Sequence, residues 1–179
     1  TSTLYLFPWG NIDGKRQFTF DAPGEHGQFA IRPALAALKE SGLQQADIPA
    51  IWVGADLVGP SDWKKVLDEA RKMNWPELLL YLQDEPGNEE RIANAKRLFK
   101  RWEDFKVQYP EYQTIKTTTA MGTTGIKALG ERYDIWIADA GTAGKDKLPR
   151  TAKSMGKKLW TYDCSTAQID AETSRYYYG

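Results

Sequence analysis

The sequence predicts an α/β fold, a partial (β/α) barrel of the TIM type with about six to seven parallel strands, incomplete within these 179 residues. Three features point there. Short β-rich runs alternate with helix-patterned runs, which makes parallel βαβ units the economical arrangement. Leu78 to Leu82 is an unbroken apolar run with Tyr81 inside it, the pattern of a strand buried on both faces. No Gly-rich phosphate loop follows the first strand, which counts against a nucleotide-binding sheet. A complete barrel needs eight strands, so an open doubly wound sheet is the alternative.

The elements follow in order. Leu4-Tyr5-Leu6-Phe7 is the first strand, ending at Pro8-Trp9-Gly10, and a loop rich in Gly, Asp and Pro is expected from Asn11 to about Gly27. Ile31, Leu35 and Leu38 fall at i, i+4 and i+7 on one face of a helix that stops near Ser41-Gly42. Ile51-Trp52-Val53 is a short strand closed by Gly54. Ser61 is the expected N-cap of the next helix, whose apolar stripe is Trp63, Val66, Leu67 and Ala70. The Leu78–Leu82 strand runs into Gln83-Asp84-Glu85-Pro86-Gly87. A long helix then carries Ile92, Ala95, Phe99 and Trp102 on one face, with Lys96, Arg97, Lys100 and Arg101 on a solvated face. Thr114–Thr119 is strand-like, a short helix surrounds Ile126 and Leu129, and Asp134–Asp139 is a strand. Leu148, Ala152 and Met155 mark a helix ending at Gly156, and Lys158–Tyr162 is the sixth strand. Arg175-Tyr176-Tyr177-Tyr178-Gly179 resembles the start of a seventh. The whole is expected to be one barrel-like catalytic domain, 1–179, cut from a larger protein; the opening Thr1-Ser2-Thr3 suits a processed or excised chain.

Composition narrows function. Lys plus Arg and Asp plus Glu number 24 each, so the net charge is zero, against a nucleic-acid binder and without attraction to an anionic membrane. No apolar run is long enough to span a bilayer. One cysteine, Cys164, forms no internal disulfide or zinc motif, and one histidine, His26, argues against a His-based metal centre or a Ser-His triad. No metal or other cofactor is expected. Cysteine poverty suits cytosol, periplasm or secretion, the last two slightly preferred. Seven Trp and nine Tyr are many for this length, and such faces stack on pyranose C–H faces, although any single one serves a core first.

In parallel α/β folds, chemistry collects at the carboxyl ends of strands. Those ends carry Trp9, Trp52, Asp84-Glu85, Asp139 and Tyr162-Asp163. Taken singly, Asp139 and Asp163 are better read as N-caps. Asp84-Glu85 differs, because two acids directly after a buried strand favour one carboxyl held protonated by desolvation and mutual repulsion, as a glycosidic acid catalyst must be. The bland alternative is that Asp84, Glu85 and Pro86 merely open the next helix. Adjacent carboxylates fit the ordinary two-acid mechanism poorly, since it needs acids on opposite sides of the bond. Either Asp139 or Asp163 supplies the second acid, or a 2-acetamido oxygen of the substrate is the nucleophile.

Tyr81-Leu82-Gln83-Asp84-Glu85-Pro86 resembles the strand-plus-Asp-Glu-Pro signature of glycoside hydrolase family 123 and related uncharacterised barrel domains. Asp134–Ile137, Lys158–Cys164 and Arg175–Gly179 are similar to later strands of that group, so the likeness runs from about Ile51 to Gly179. The resemblance implies substrate-assisted, retaining cleavage of N-acetylgalactosaminide-like N-acetylhexosaminides. It implies that Asp84 orients the acetamido group, that Glu85 is the acid/base, and that Tyr162 donates to the acetamido oxygen. The chain lacks that family's flanking β-domain and at least one barrel strand. Flanking domains or a second copy are therefore expected to cover an open side. The alternatives are a glycosidase using Glu85 with Asp139 or Asp163, and a non-catalytic carbohydrate-binding domain with Trp9, Trp52, Trp136 and Trp160 as its platform.

Overall fold

A computed structural model describes residues 4–6, 9–13, 15–21, 31–42, 50–52, 55–145 and 147–162. The elements are β1 (Leu4–Leu6), β2 (Trp9–Ile12), β3 (Lys15–Phe18), α1 (Ile31–Glu40), β4 (Ala50–Trp52), α2 (Pro60–Lys72) and β5 (Leu78–Tyr81). After them come α3 (Glu89–Gln108), β6 (Lys116–Ala120), α4 (Thr123–Leu129), β7 (Ile135–Asp139), α5 (Ala140–Lys145), α6 (Leu148–Ser154) and β8 (Lys158–Tyr162).

The main sheet has six strands in the order β1-β4-β5-β6-β7-β8, and every pairing is parallel. All six strands expected from the sequence stand in it, in chain order. β5 lies between β4 and β6 with all four residues buried, as its apolar continuity requires. No described strand joins β1 to β8, so the sheet is open among the described residues. The strand expected from Tyr176 lies outside them.

Two expectations fail locally. The stretch after Trp9 is not all loop: β2 and β3 form an antiparallel pair, with Trp9 opposite Phe18 and Ile12 opposite Lys15. The turn between them begins at Asp13, φ +52°, and Asp13-Gly14 is a two-residue hairpin signal that polar flanking residues conceal. Ser61 is not the cap of α2. Gly59 holds that position and Pro60 takes the first helical place, where its fixed φ and missing N–H cost nothing.

Alternation along the strands sorts the core into two faces. Ala50, Trp52, Leu78, Leu80, Leu82, Trp136 and Ala138 share one cluster with the buried residues of the helices, among them Ile31, Trp63, Phe99, Ile126, Ala143 and Leu148. Ile51, Leu79, Tyr81, Ile135 and Ile137 form the other cluster, against which Ala120, Trp160 and Tyr162 pack. No residue of a described helix belongs to it. Among the described residues the helices thus cover one face, and strands build the other. Between α2 and α3 the helical layer is aromatic: Trp63 meets Trp102 edge-on at 5.5 Å and Phe105 at 5.7 Å, and its indole N–H donates to the Ala55 carbonyl at 2.7 Å.

Gly130, just past α4, is a close-approach point. Its carbonyl accepts the Trp136 indole N–H at 3.0 Å, and a Cβ there would stand 2.8 Å from Trp136 Cζ2 and 2.6 Å from the Ile126 carbonyl oxygen. The buried indole cannot retreat without breaking its own bond. Gly130→Ala is therefore expected to cost roughly 1–3 kcal/mol, the usual scale of overpacking. Urea denaturation checks this, and an unchanged midpoint would show that the contact gives way freely.

Candidate functional site

β5 ends at Tyr81, and the next helix does not begin until Glu89, capped by Asn88, whose side chain accepts from the Arg91 N–H at 2.9 Å. Asp84 and Glu85 are therefore not the first turn of α3. They sit in a separate loop, both exposed, at the carboxyl end of an interior strand. Gln83 (φ +61°) and Glu85 (φ +41°) are both left-handed without being glycine, a conformation costing roughly 1–3 kcal/mol at each position.

The surroundings hold this loop. Thr119 Oγ1 donates to the Gln83 carbonyl at 2.6 Å, and the buried Tyr133 hydroxyl donates to the Leu82 carbonyl. The Gln83 side chain accepts from Asn94 Nδ2 at 2.5 Å and donates to the Asp84 carbonyl at 3.1 Å. The Glu85 carbonyl accepts from the Gly87 N–H at 2.7 Å and from Arg91 Nη1 at 3.3 Å. Pro86 is buried against α4 so closely that a Cβ on Gly125 would lie 2.9 Å from the Pro86 carbonyl oxygen.

Beside the loop lies a cleft of about 460 Å³ lined by Glu85, Gly87, Asn88, Arg91, Met121, Gly122, Asp139, Thr142 and Tyr162. Loop residues after β5 and β6 thus meet the last residues of β7 and β8. Asp139 serves two ends, since it lines the cleft and also caps α5, accepting the Thr142 N–H at 3.1 Å. Asp84 is not part of this lining. Its Oδ1 accepts the Tyr81 hydroxyl at 2.5 Å, and that hydroxyl accepts the Ala120 N–H at 3.0 Å. Burial and then the bond to Asp84 push the Tyr81 phenol well above the usual tyrosine range, and burial does the same to Tyr133.

The residues expected at the site thus divide. Glu85, Asp139 and Tyr162 share the cleft, with Asp84 adjoining. Trp52 and Trp136 do not belong to it: they are 1% and 0% exposed on the helix-covered face, where a sugar ring cannot stack on them. Each follows the strand's alternation to the core, the commoner fate of a strand tryptophan. Trp160 packs on the other face beside Ile135 and Ile137, short of the cleft. Trp9 stands in the β2–β3 ribbon, opposite Phe18. Asp163 lies outside the described residues.

Sequence reading missed Asp56, in the 3-10 turn Ala55–Leu57 after β4. Trp52 and Leu80 are in register across β4 and β5, and Asp56 and Asp84 each follow four residues later, so equal offsets in neighbouring strands were the available signal. Burial raises the Asp56 carboxyl above the usual aspartate range, its own N–H offsets this in part, and the Asp84 charge adds to the rise. Among the described residues no cluster of His, Cys, Asp and Glu could hold a metal ion. No described helix is long and apolar enough to cross a membrane.

Comparison with protein-family models, curated proteins and solved structures yields no match.

The raised Asp56 carboxyl carries a pH signature. A group that holds its proton more tightly folded than unfolded contributes stability below its unfolded value, about 3.9, and loses it as pH rises through the folded value. Wild type should therefore lose stability relative to Asp56→Asn as pH climbs from about 4. Paired denaturation curves across that range check this; a pH-independent difference between the two proteins contradicts it.

Proposed function

We propose that this chain is part of a glycoside hydrolase that cleaves 2-acetamido sugars by the substrate-assisted, retaining route, built on a segment of a (β/α) barrel. Chain-order strands with helices on one face support the barrel, because a doubly wound sheet carries helices on both. One observation carries the functional reading. Two adjacent acids are released from any helix at the carboxyl end of an interior strand, one in a cleft and one beside it. The cleft volume lies in the range of small-ligand sites. The local likeness to the Asp-Glu-Pro signature of glycoside hydrolase family 123 points the same way.

In this route the acetamido oxygen of the bound sugar forms a bond to the anomeric carbon as the glycosidic C–O bond breaks. Glu85 gives its proton to the departing oxygen. Asp84 receives the acetamido N–H and balances the positive charge of the cyclic intermediate. Tyr162, which lines the same cleft, donates to the acetamido oxygen. Glu85 then takes a proton from the water that opens the intermediate, and the anomeric configuration is retained. No cofactor enters.

A second reading is favoured by one observation, that Glu85 and Asp139 line the same cleft. Acids from β5 and β7 then work as an ordinary carboxylate pair, without need of an acetamido group. A thiazoline, which mimics the cyclic intermediate, should inhibit under the first reading and not under the second.

Under the first reading two substitutions fail differently. Glu85→Gln should lose on the order of a hundredfold or more in turnover, with the first step restored by a good aryl leaving group and the second still slow. Asp84→Asn should slow both steps by a similar order, with little dependence on the leaving group. Pre-steady-state kinetics on aryl N-acetylhexosaminides separates the patterns. Near wild-type hydrolysis in either variant sinks the assignment.

A further inference from the structure

We propose that Tyr81 is the positioning residue of this site: its hydroxyl, oriented by the Ala120 N–H, grips one carboxylate oxygen of Asp84 and leaves the other for the substrate's acetamido N–H. The substrate half of this inference rests on the substrate-assisted reading above.

The geometry fixes the direction of the Tyr81 proton. A peptide N–H can only donate, so the Ala120 N–H at 3.0 Å occupies a lone pair of the phenol oxygen and cannot receive its proton. The proton goes instead to Asp84 Oδ1, 2.5 Å away. Asp84 Oδ2 takes no hydrogen bond from any described residue, and the side chain is exposed. One oxygen is thus anchored and the other is without a partner among the described residues.

The ring itself has little room. Tyr81 is 9% exposed, packed with Ile51, Leu79, Ile135 and Ile137 on the helix-free face, and paired in register with Thr118 of β6. Burial and the Asp84 bond keep the phenol protonated far into the alkaline range, so it remains a donor wherever Asp84 is ionised. Among the described residues, the other titratable or charged groups at this end of the sheet are Asp56, Glu85, Arg91, Tyr133, Asp139 and Tyr162. None of them is seen to donate to Asp84, and Asp56 repels it. Without Tyr81, nothing described would hold the Asp84 carboxylate in one rotamer, and a misplaced group of this kind forfeits much of its effect.

Two measurements test this. The first needs no turnover. In protein labelled with 3-fluorotyrosine, ¹⁹F NMR follows each tyrosine through an alkaline titration. The Tyr81 signal should ionise above an ordinary tyrosine and move down in Asp84→Asn, while the Tyr133 signal stays in place. A Tyr81 titration indifferent to Asp84→Asn overturns the clamp. The second uses Tyr81→Phe, which keeps the ring. Its kcat on aryl N-acetylhexosaminides should fall on the order of ten- to a hundredfold with KM little changed. Thiazoline affinity should fall by the same factor as kcat/KM, in protein that still unfolds cooperatively although the Ala120 N–H loses its acceptor. Wild-type turnover in Tyr81→Phe beside an impaired Asp84→Asn overturns the positioning role. If the unmutated chain hydrolyses nothing, the glycosidase reading and the substrate half of this inference fall together, whereas the clamp stands or falls on the NMR titration alone.

Discussion

The way the backbone leaves β5 governs the carboxyl end of this sheet. Past Tyr81 the chain still runs between two strands, so its peptide groups need partners that a ladder no longer supplies. Neighbouring elements supply them. The Leu82 N–H reaches the Thr118 carbonyl at 3.2 Å, the Leu82 carbonyl takes the Tyr133 hydroxyl, and the Gln83 carbonyl takes Thr119 Oγ1 at 2.6 Å. An unpaired buried group of this kind costs about 1–3 kcal/mol, so these three contacts are on the scale needed to hold two left-handed residues in place. The buried threonines of β6 then make sense in an otherwise apolar layer. Thr119 is there for the loop of the neighbouring strand, and Thr118 and Thr117 bond across to the Ile135 carbonyl and to Asp134.

Acids at the two ends of the sheet are used differently. At the amino end, Asp134 accepts both the N–H and the hydroxyl of Thr117, at 2.8 and 3.0 Å, and Glu77 pairs with Lys116 at 2.8 Å. Those carboxylates are consumed by structure. At the carboxyl end, Asp84 and Glu85 have no described cationic side chain within ion-pair distance. Arg91 spends Nη1 on the Glu85 carbonyl, which braces the loop while leaving the carboxylate unneutralised. Asp56 adds a further acid nearby, whose carboxyl is raised first by burial and in smaller part by the Asp84 charge.

The sheet was legible in the sequence because hydrophobic continuity and turn residues marked all six strands, and Leu78–Leu82 was recognisable as interior from its composition alone. The β2–β3 ribbon was not, since Asn11, Lys15, Arg16 and Gln17 carry no apolar alternation and only Asp13-Gly14 betrays the turn. The site was half legible. Strand-end position accounts for Glu85, Asp139 and Tyr162 lining one cleft, because that rule follows from parallel topology. It failed for Trp52, because position along a strand does not say which face a side chain takes, and the aromatic-platform reading failed for Trp136 for the same reason. Register decides that, and register becomes visible only when the strands are paired.

The same point resolves the difficulty with adjacent acids. On an extended strand, neighbours point to opposite faces, so Asp84 and Glu85 as strand residues would have sent one carboxylate into the helix layer. The strand instead stops at Tyr81, and left-handed φ values at Gln83 and Glu85 break the alternation on either side of Asp84. Asp84 then turns back to the helix-free face, where Tyr81 already points, and Glu85 turns into the cleft. A glycine at either left-handed position would remove the strain, but it would also widen the conformations open to the loop. Strained non-glycine residues tied down by Thr119, Tyr133, Asn94 and Arg91 give the opposite property, a loop with one shape. Under the proposed reading, two side chains addressing one sugar from consecutive positions need that single shape more than they need low local energy.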